Sequence, residues 1–226
     1  MEVLETERIE QIFIRFAQRN PHPQSELKWK NPFTLLVAVL LSAQTTDVGV
    51  NRATKALFEK VDSPSDMLQL GEESLKEMIK TINYYPTKAK RIIALSKILC
   101  EEHGGDVPFE KEALEALPGI GRKSANVVLN VAFGKPTIAV DTHVLRVSNR
   151  LHLSFSDKPG KVEEDLLLIV PERFKMTAHH HLILHGRYIC KARAPSCDEC
   201  FLSDLCPKDI VQKTHLKKSL KWSRKA

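Results

Sequence analysis

The stretch Leu117–Asp141, LPGIGRKSANVVLNVAFGKPTIAVD, constrains this chain most, because one helical pattern must stop there and a second must start almost at once. Apolar spacing predicts a helix over Phe109–Ala116 and another over Arg122–Ala132, with Leu117-Pro-Gly-Ile-Gly121 between them. Neither Gly119 nor Gly121 has a Cβ, so either can take positive φ or admit a foreign backbone at close range. A helix that begins at Arg122 leaves its first N–H groups unpaired at the positive end of its dipole, where an anion can sit. A turn of this kind holds no side chains that read a sequence, so the anion it suits is a nucleic-acid phosphate. An ordinary helix–helix turn is the alternative on these residues alone.

Lys123 is the second residue of the new helix. Cations favour the other end of a helix, so the local field disfavours the protonated amine, and partial burial would add to that. A neutral lysine amine is a nucleophile of the kind that forms Schiff bases. Asp141 closes the apolar run Ile138-Ala-Val140 and precedes Thr142-His143. One role for it is to cap a helix starting at Thr142. Beside a nucleophilic lysine, the more useful role is a carboxylate that handles protons or stabilises a sugar cation.

The second constraint is Cys190-x6-Cys197-x2-Cys200-x5-Cys206, four of the five cysteines within seventeen residues. That clustering is unlike a secreted disulfide scaffold. Zinc sites usually pair two tight knuckles across a longer spacer. A single knuckle flanked by wider steps suits ligands wrapped around a larger object, and predicts a structural [4Fe-4S] cluster. Lys191 and Arg193 stand on the same loop, where a metal-stiffened basic segment suits phosphate contact and a solvated charged loop is the alternative. Cys100 ends the apolar stripe of its helix and reads as a buried small hydrophobe. His181 and His185 are spaced i, i+4 but lack the glutamate of an H-E-x-x-H site, so no metal site is expected there, and His179, His180 and His181 read as a mixture of core and surface residues.

The rest of the chain is helical in pattern. Expected helices cover Glu7–Gln18, Phe33–Leu41 capped by Asn31 with Pro32 first, a segment from Thr46 or Asp47 to about Val61, a short one between Ser63 and Gly71, Glu72–Ile82, and Lys88–His103 capped by Thr87. Beyond Asp141 they cover Thr142–Arg150, Lys161–Ile169 and Met176–Ile189. The Phe33–Leu41 helix is apolar nearly all round and should be the most buried. It runs out in Ser42-Ala-Gln-Thr-Thr-Asp47, where Gln44 is either part of a capping turn or held out to meet a ligand. Strand alternation is nearly absent, and Pro136–Val140 is the one extended piece expected. The fold class is all-α, of roughly ten short helices.

The longest apolar run, Leu35–Leu41, is seven residues, far short of the roughly 20 that a membrane helix needs. The acidic, amphipathic start MEVLETERIEQ is unlike a signal peptide, and a soluble intracellular protein with no membrane partner is expected. The formal charge is +6, and Pro207–Ala226, with six Lys, one Arg and one Asp, holds all of it, so the preceding residues sum to zero. Nucleic-acid affinity in the folded body must therefore come from local patches.

LPGIGRKSANVVL, the AVDTH segment and the cysteine loop together resemble the bacterial endonuclease III family of helix-hairpin-helix DNA glycosylases. The NPHP turn, LLSAQTTD and HLILHGRYIC extend the likeness over nearly the whole chain. The resemblance implies two lobes: a six-helix barrel over 25–135, with the hairpin at about 113–132, and a cluster lobe built from 1–24 and 136–226. In the latter, 190–206 is the cluster loop and 207–226 a basic tail. DNA would cross the groove between the lobes, with Lys123 and Asp141 at its mouth. By position, Lys123 is the amine nucleophile, Asp141 the catalytic carboxylate, and Cys190, Cys197, Cys200 and Cys206 the cluster ligands. Gln44 matches a glutamine that enters the gap left by a flipped nucleotide, and Gly119 and Gly121 are the hairpin glycines on the DNA backbone. At Asn83 and Tyr84 the family more often shows glycine and leucine, so the intercalating residue here would be aromatic, Tyr84.

The implied enzyme is a monomeric cytoplasmic protein associated with the nucleoid. It removes oxidised pyrimidines from double-stranded DNA, acts at abasic sites, and cuts 3′ to them by β-elimination. Two alternatives stand beside it. An adenine glycosylase acting on mismatches shares the hairpin, aspartate and cluster spacing but typically lacks the lysine and carries a further C-terminal domain. A non-enzymatic cluster-containing DNA-binding module would use the hairpin only to hold duplex.

Overall fold

The computed structural model describes residues 2–208, with side chains from residue 5 onward. The expected basic tail lies outside the described residues beyond Lys208. Eleven helices and no strand make up the described residues: α1 (Glu2–Arg19), α2 (Pro32–Leu41), α3 (Asp47–Lys60), α4 (Pro64–Leu70), α5 (Glu72–Met78), α6 (Tyr85–Glu102), α7 (Lys111–Ala116), α8 (Arg122–Phe133), α9 (Thr142–Arg150), α10 (Pro159–Ile169) and α11 (Glu172–Tyr188). Pro136–Val140, the extended piece expected, belongs to no helix and no strand.

Two compact units divide the chain: Gln24–Thr137, and Met1–Pro23 joined with Ile138–Ala226. In the first, α2 is the hub. Asn31 caps it in a reciprocal capping box with Thr34, Pro32 occupies the first turn, and every residue from Phe33 to Leu41 is buried. An all-round apolar helix can be stable only if neighbours cover each side, and α3, α6 and α8 do so. In the second unit, Ile12, Phe13 and Phe16 of α1 join Val144 and Val147 of α9, Leu166 of α10 and Leu182 of α11 in one core. Here α9 and α11 approach closely: a Cβ on Gly186 would lie 2.9 Å from the Cβ of His143 and 3.1 Å from Val147 Cγ2.

Two helix starts match the pattern-based expectation: Thr46 caps α3, and Ser63 caps α4 with Asp66 completing the box. Other ends differ. Thr87 is not the cap of α6: that helix starts at Tyr85, with Tyr84 in the left-handed region at its N-cap and Pro86 in the first turn. Proline fits there because its missing N–H would be unpaired anyway. Glu72 starts α5, which stops at Met78 rather than Ile82, because Ile79–Ile82 turns toward α6. The last helix begins at Glu172, ahead of Met176, directly after Pro171. Cys100 is half-buried rather than buried.

Candidate active site

The hairpin between α7 and α8 is built as its glycines suggest, with a division of labour between them. Gly119 has φ of +85°, and a Cβ there would meet Arg91 Cδ at 2.9 Å and Leu40 Cδ1 at 3.2 Å. It serves the turn and its packing. Gly121 is extended, at φ −111° and ψ 177°, and a Cβ there would face open space. It needs no positive φ, contrary to one of the two uses expected of it; what its bare backbone provides is room outside the turn. It is the N-cap of α8 and supplies no side-chain cap, so the first N–H groups of α8 receive nothing from it. Lys123 is half-buried in that first turn.

Asp141 belongs to the other unit and caps α9. Its Oδ1 accepts from the backbone N–H groups of His143 and Val144, both at 2.8 Å, and its Oδ2 lies 3.1 Å from Nδ1 of His143. The side chain keeps 20% exposure. The capping and functional readings of Asp141 are thus compatible. One oxygen anchors the carboxylate at the helix start, where a negative charge is favoured. The other stays beside an imidazole.

The cysteine loop follows α11. Cys190, Cys197, Cys200 and Cys206 line one cavity with Leu151, Ile189 and Pro195. Burial raises the thiol pKa of Cys200 and of Cys206, so ligation there requires a strong compensating positive charge. Arg150, which is 6% exposed, faces the loop at Cys190. Its Nη1 donates to Lys191 O at 2.7 Å, to Cys190 O at 3.4 Å and toward Cys190 Sγ at 3.4 Å, and its Nη2 donates to Ala192 O at 3.3 Å. Arg146, one turn earlier, donates through Nε to Cys190 O at 3.1 Å and through Nη2 to Gly186 O at 2.8 Å. Burial lowers the Arg146 pKa, with neighbouring Arg150 acting in the same direction. Nε2 of His185 lies 3.8 Å from Cys200 Sγ. A thiol-lined, largely apolar cavity with an arginine N–H aimed at sulfur fits an iron–sulfur cluster in its donor set and in its second layer of hydrogen bonds. Lys191 and Arg193 are exposed on this braced loop.

Two adjacent turns of the first unit present Gln44 and Tyr84. Both residues are exposed and both are left-handed, at φ 57° and 58°.

The HhH-GPD superfamily of base excision DNA repair proteins matches residues 37–172, and the iron–sulfur binding domain of endonuclease III matches residues 190–206. Endonuclease III of Treponema pallidum (strain Nichols) is 56% identical over 211 residues, covering 93% of this chain and 100% of that protein. The chain belongs to the endonuclease III family. Endonuclease III of Escherichia coli (strain K12) is 55% identical over 196 residues, 87% of this chain and 93% of that one. Among solved structures, a trapped endonuclease III–DNA covalent intermediate superposes with a TM-score of 0.85 at 43% identity, covering 92% of this chain and 98% of that chain. A non-covalent endonuclease III–DNA complex gives 0.86 at 42%, with the same coverage. The chain is therefore an all-α DNA glycosylase of base excision repair that carries a [4Fe-4S] cluster.

Four residues at these sites were not marked by the sequence patterns: Lys88, His143, Arg146 and Arg150. His143 was legible as the neighbour of Asp141, and Arg146 and Arg150 as an i, i+4 pair on the same helix. Nothing local marks Lys88, whose partners are more than forty residues away in sequence. His179, His180, His181 and His185 are all buried, so the expected surface members of this group are absent. His179 Nδ1 lies 2.7 Å from Ala139 O, His181 Nε2 lies 3.0 Å from Asn20 O, and the His181 ring stacks on Phe16 with centroids 5.4 Å apart. Among the described residues no helix is long and apolar enough to cross a membrane.

Proposed function

We propose that this protein is a bifunctional glycosylase and abasic-site lyase acting on oxidised pyrimidines in duplex DNA. The observation that carries the lyase half is its likeness, at a TM-score of 0.85 and 43% identity, to a structure of a trapped covalent endonuclease III–DNA intermediate. A covalent intermediate needs a nucleophile, and Lys123 in the first turn of α8 is the amine we assign to it.

A base inside the stack cannot be attacked, so it is flipped out, and weakened stacking of a damaged pyrimidine lowers that cost. The Lys123 Nζ lone pair forms a bond to C1′ while the glycosidic bond breaks and its electron pair leaves with the base, which takes up a proton. Asp141 stabilises the positive charge that develops on the sugar and assists proton transfer. Loss of the amine proton and opening of the sugar ring give a Schiff base. The imine acidifies the C2′ hydrogen, and its loss as a proton breaks the C3′–O bond, cutting the strand 3′ to the site. Gly119 and Gly121 place backbone N–H groups against phosphate without reading sequence. Gln44 fills the gap left by the flipped nucleotide, and Tyr84 is the intercalating wedge. Cys190, Cys197, Cys200 and Cys206 hold the cluster, whose contribution is to brace the loop bearing Lys191 and Arg193 against phosphate. The protein works as a monomer in the cytoplasm, at the nucleoid.

Borohydride reduction in the presence of single-lesion duplexes tests this reading. The parent protein should form a covalent adduct with an oxidised-pyrimidine duplex. Lys123→Gln should abolish trapping and strand cleavage while leaving duplex binding largely intact. Trapping by Lys123→Gln at the parental level would place the nucleophile elsewhere and overturn the mechanism.

A further inference from the structure

Gln44 and Tyr84, both exposed and left-handed, lie on turns that are tied to each other. Left-handed backbone at a non-glycine residue is strained and persists only where the surroundings over-determine it. The surroundings here can be accounted for carbonyl by carbonyl, starting from the last carbonyls of α2, which have no partner within their own helix. Leu41 O accepts from Lys88 Nζ at 2.8 Å, and Ala43 O accepts from the same ammonium at 2.6 Å. Ser42 O accepts from Thr45 N at 3.1 Å. Gln44 O accepts from Asn83 Nδ2 at 2.6 Å. Every carbonyl from Leu41 to Gln44 therefore has a donor, and the donors for three of them come from the 83–88 segment.

Lys88 joins the turns from both ends. Its backbone N–H donates to Tyr84 O at 3.1 Å, while its ammonium, on a residue 4% exposed, reaches across to Leu41, Ala43 and, at 3.4 Å, the hydroxyl of Thr45. A buried amine with lowered pKa invites a nucleophilic role. Its burial and its acceptors argue against one: the nitrogen is enclosed by protein oxygens and cannot reach a sugar carbon. A cation at the C-terminal end of α2 is also favourably placed against the helix dipole.

We propose that Asn83 and Lys88 are positioning residues that lock the Gln44 turn and the Tyr84 turn into one unit, so that both side chains meet DNA in a fixed mutual register. The proposal rests on the reading that Gln44 contacts DNA. Releasing Asn83 frees the Gln44 peptide to leave the left-handed region. Gln44 then has to be reordered at each encounter, and apparent affinity falls by the fraction of molecules no longer competent.

The test uses full-length holoprotein and a duplex with a reduced abasic analogue, with 2-aminopurine as the opposite base. Binding constants, 2-aminopurine fluorescence and melting temperature are measured for the parent, Gln44→Ala, Asn83→Ala and the double variant. Asn83→Ala is expected to weaken binding by about 5–30-fold, the factor that corresponds to 1–2 kcal/mol. It should also shift the fluorescence in the same direction as Gln44→Ala. Its melting temperature should stay within a few degrees of the parent, since an exposed side chain is altered. The double variant should bind no more weakly than Gln44→Ala alone, the mark of two residues acting through one contact. Lys88→Met should reproduce the binding loss and also lower the melting temperature, because two carbonyls lose their donor. If Gln44→Ala binds as the parent does, the DNA-contact reading of Gln44 fails and the proposal goes with it. If Gln44→Ala weakens binding but Asn83→Ala does not, or the two effects simply add, that reading survives and the positioning role is overturned. Parental binding by folded Lys88→Met would remove Lys88 from it.

Discussion

Replacing Arg150 with Met should loosen the cluster loop without touching a cysteine. The methionine keeps the apolar stem but removes every N–H that Arg150 directs at the loop, leaving the Arg146 bond to Cys190 O in place. The short bond to Lys191 O, 2.7 Å from a charged donor, is worth about 1.5–3 kcal/mol, and the longer bonds to Cys190 O and Ala192 O, at 3.4 and 3.3 Å, about 0.5 kcal/mol each. Roughly 3 kcal/mol follows, which is about a 150-fold rise in the open population of the loop at 1.4 kcal/mol per tenfold. If cluster loss proceeds through that opening, the visible absorbance of the holoprotein should bleach about a hundredfold faster in aerobic buffer with chelator. Far-ultraviolet circular dichroism should be unchanged at the start of the decay. Arg150→Lys should fall between, since a single ammonium cannot serve several carbonyls at the spacing of a guanidinium. A bleaching rate for Arg150→Met within twofold of the parent would refute the view that this side chain braces the loop.

Asp141→Asn should lower base release by about 10²–10³-fold, the scale of lost transition-state electrostatics. Its melting temperature should barely move, because asparagine caps a helix about as well as aspartate; Asp141→Ala should add a stability loss of about 1 kcal/mol, seen as a lower denaturant midpoint. Lys191→Ala with Arg193→Ala should weaken binding to damaged and undamaged duplex alike and reduce the slope of log K against log salt by about 1.8, from two lost phosphate contacts at about 0.9 each. Burial, with a smaller push from His181, lowers the His180 pKa to about 4. The unfolded chain therefore binds the extra proton first, and this contribution is complete above about pH 6.5 and lost as pH falls toward about 4. It amounts to about 3 kcal/mol, so His180→Phe should flatten the pH dependence of unfolding free energy over that window relative to the parent.

Much of this molecule is local in origin, and local features are legible in a sequence. Asn31-Pro32, Thr46 and Ser63-Pro64 cap their helices through side chains a few residues away, so the residue types alone announce the starts. The apolar run from Phe33 to Leu41 could only be a buried hub, and the near absence of period-two alternation left all-α as the fold class. The cysteine spacing pointed to a cluster because ligands must wrap it within one short segment. Where tertiary contacts choose among local options, the sequence is silent. Tyr84 is an improbable N-cap on propensity, yet the backbone takes that form because Lys88 and Asn83 reach across to carbonyls some forty residues earlier. The histidines carry no mark of burial, and only their packing against Phe16, Ala139 and Asn20 removes them from solvent. Asp141 is a helix cap by its own sequence neighbourhood, and its contact with His143 is local too, whereas the close approach of α9 and α11 at Gly186 is decided by packing alone. Hydrogen-bond donors that arrive from a distant segment cost the chain no local pattern, and so they leave none to read.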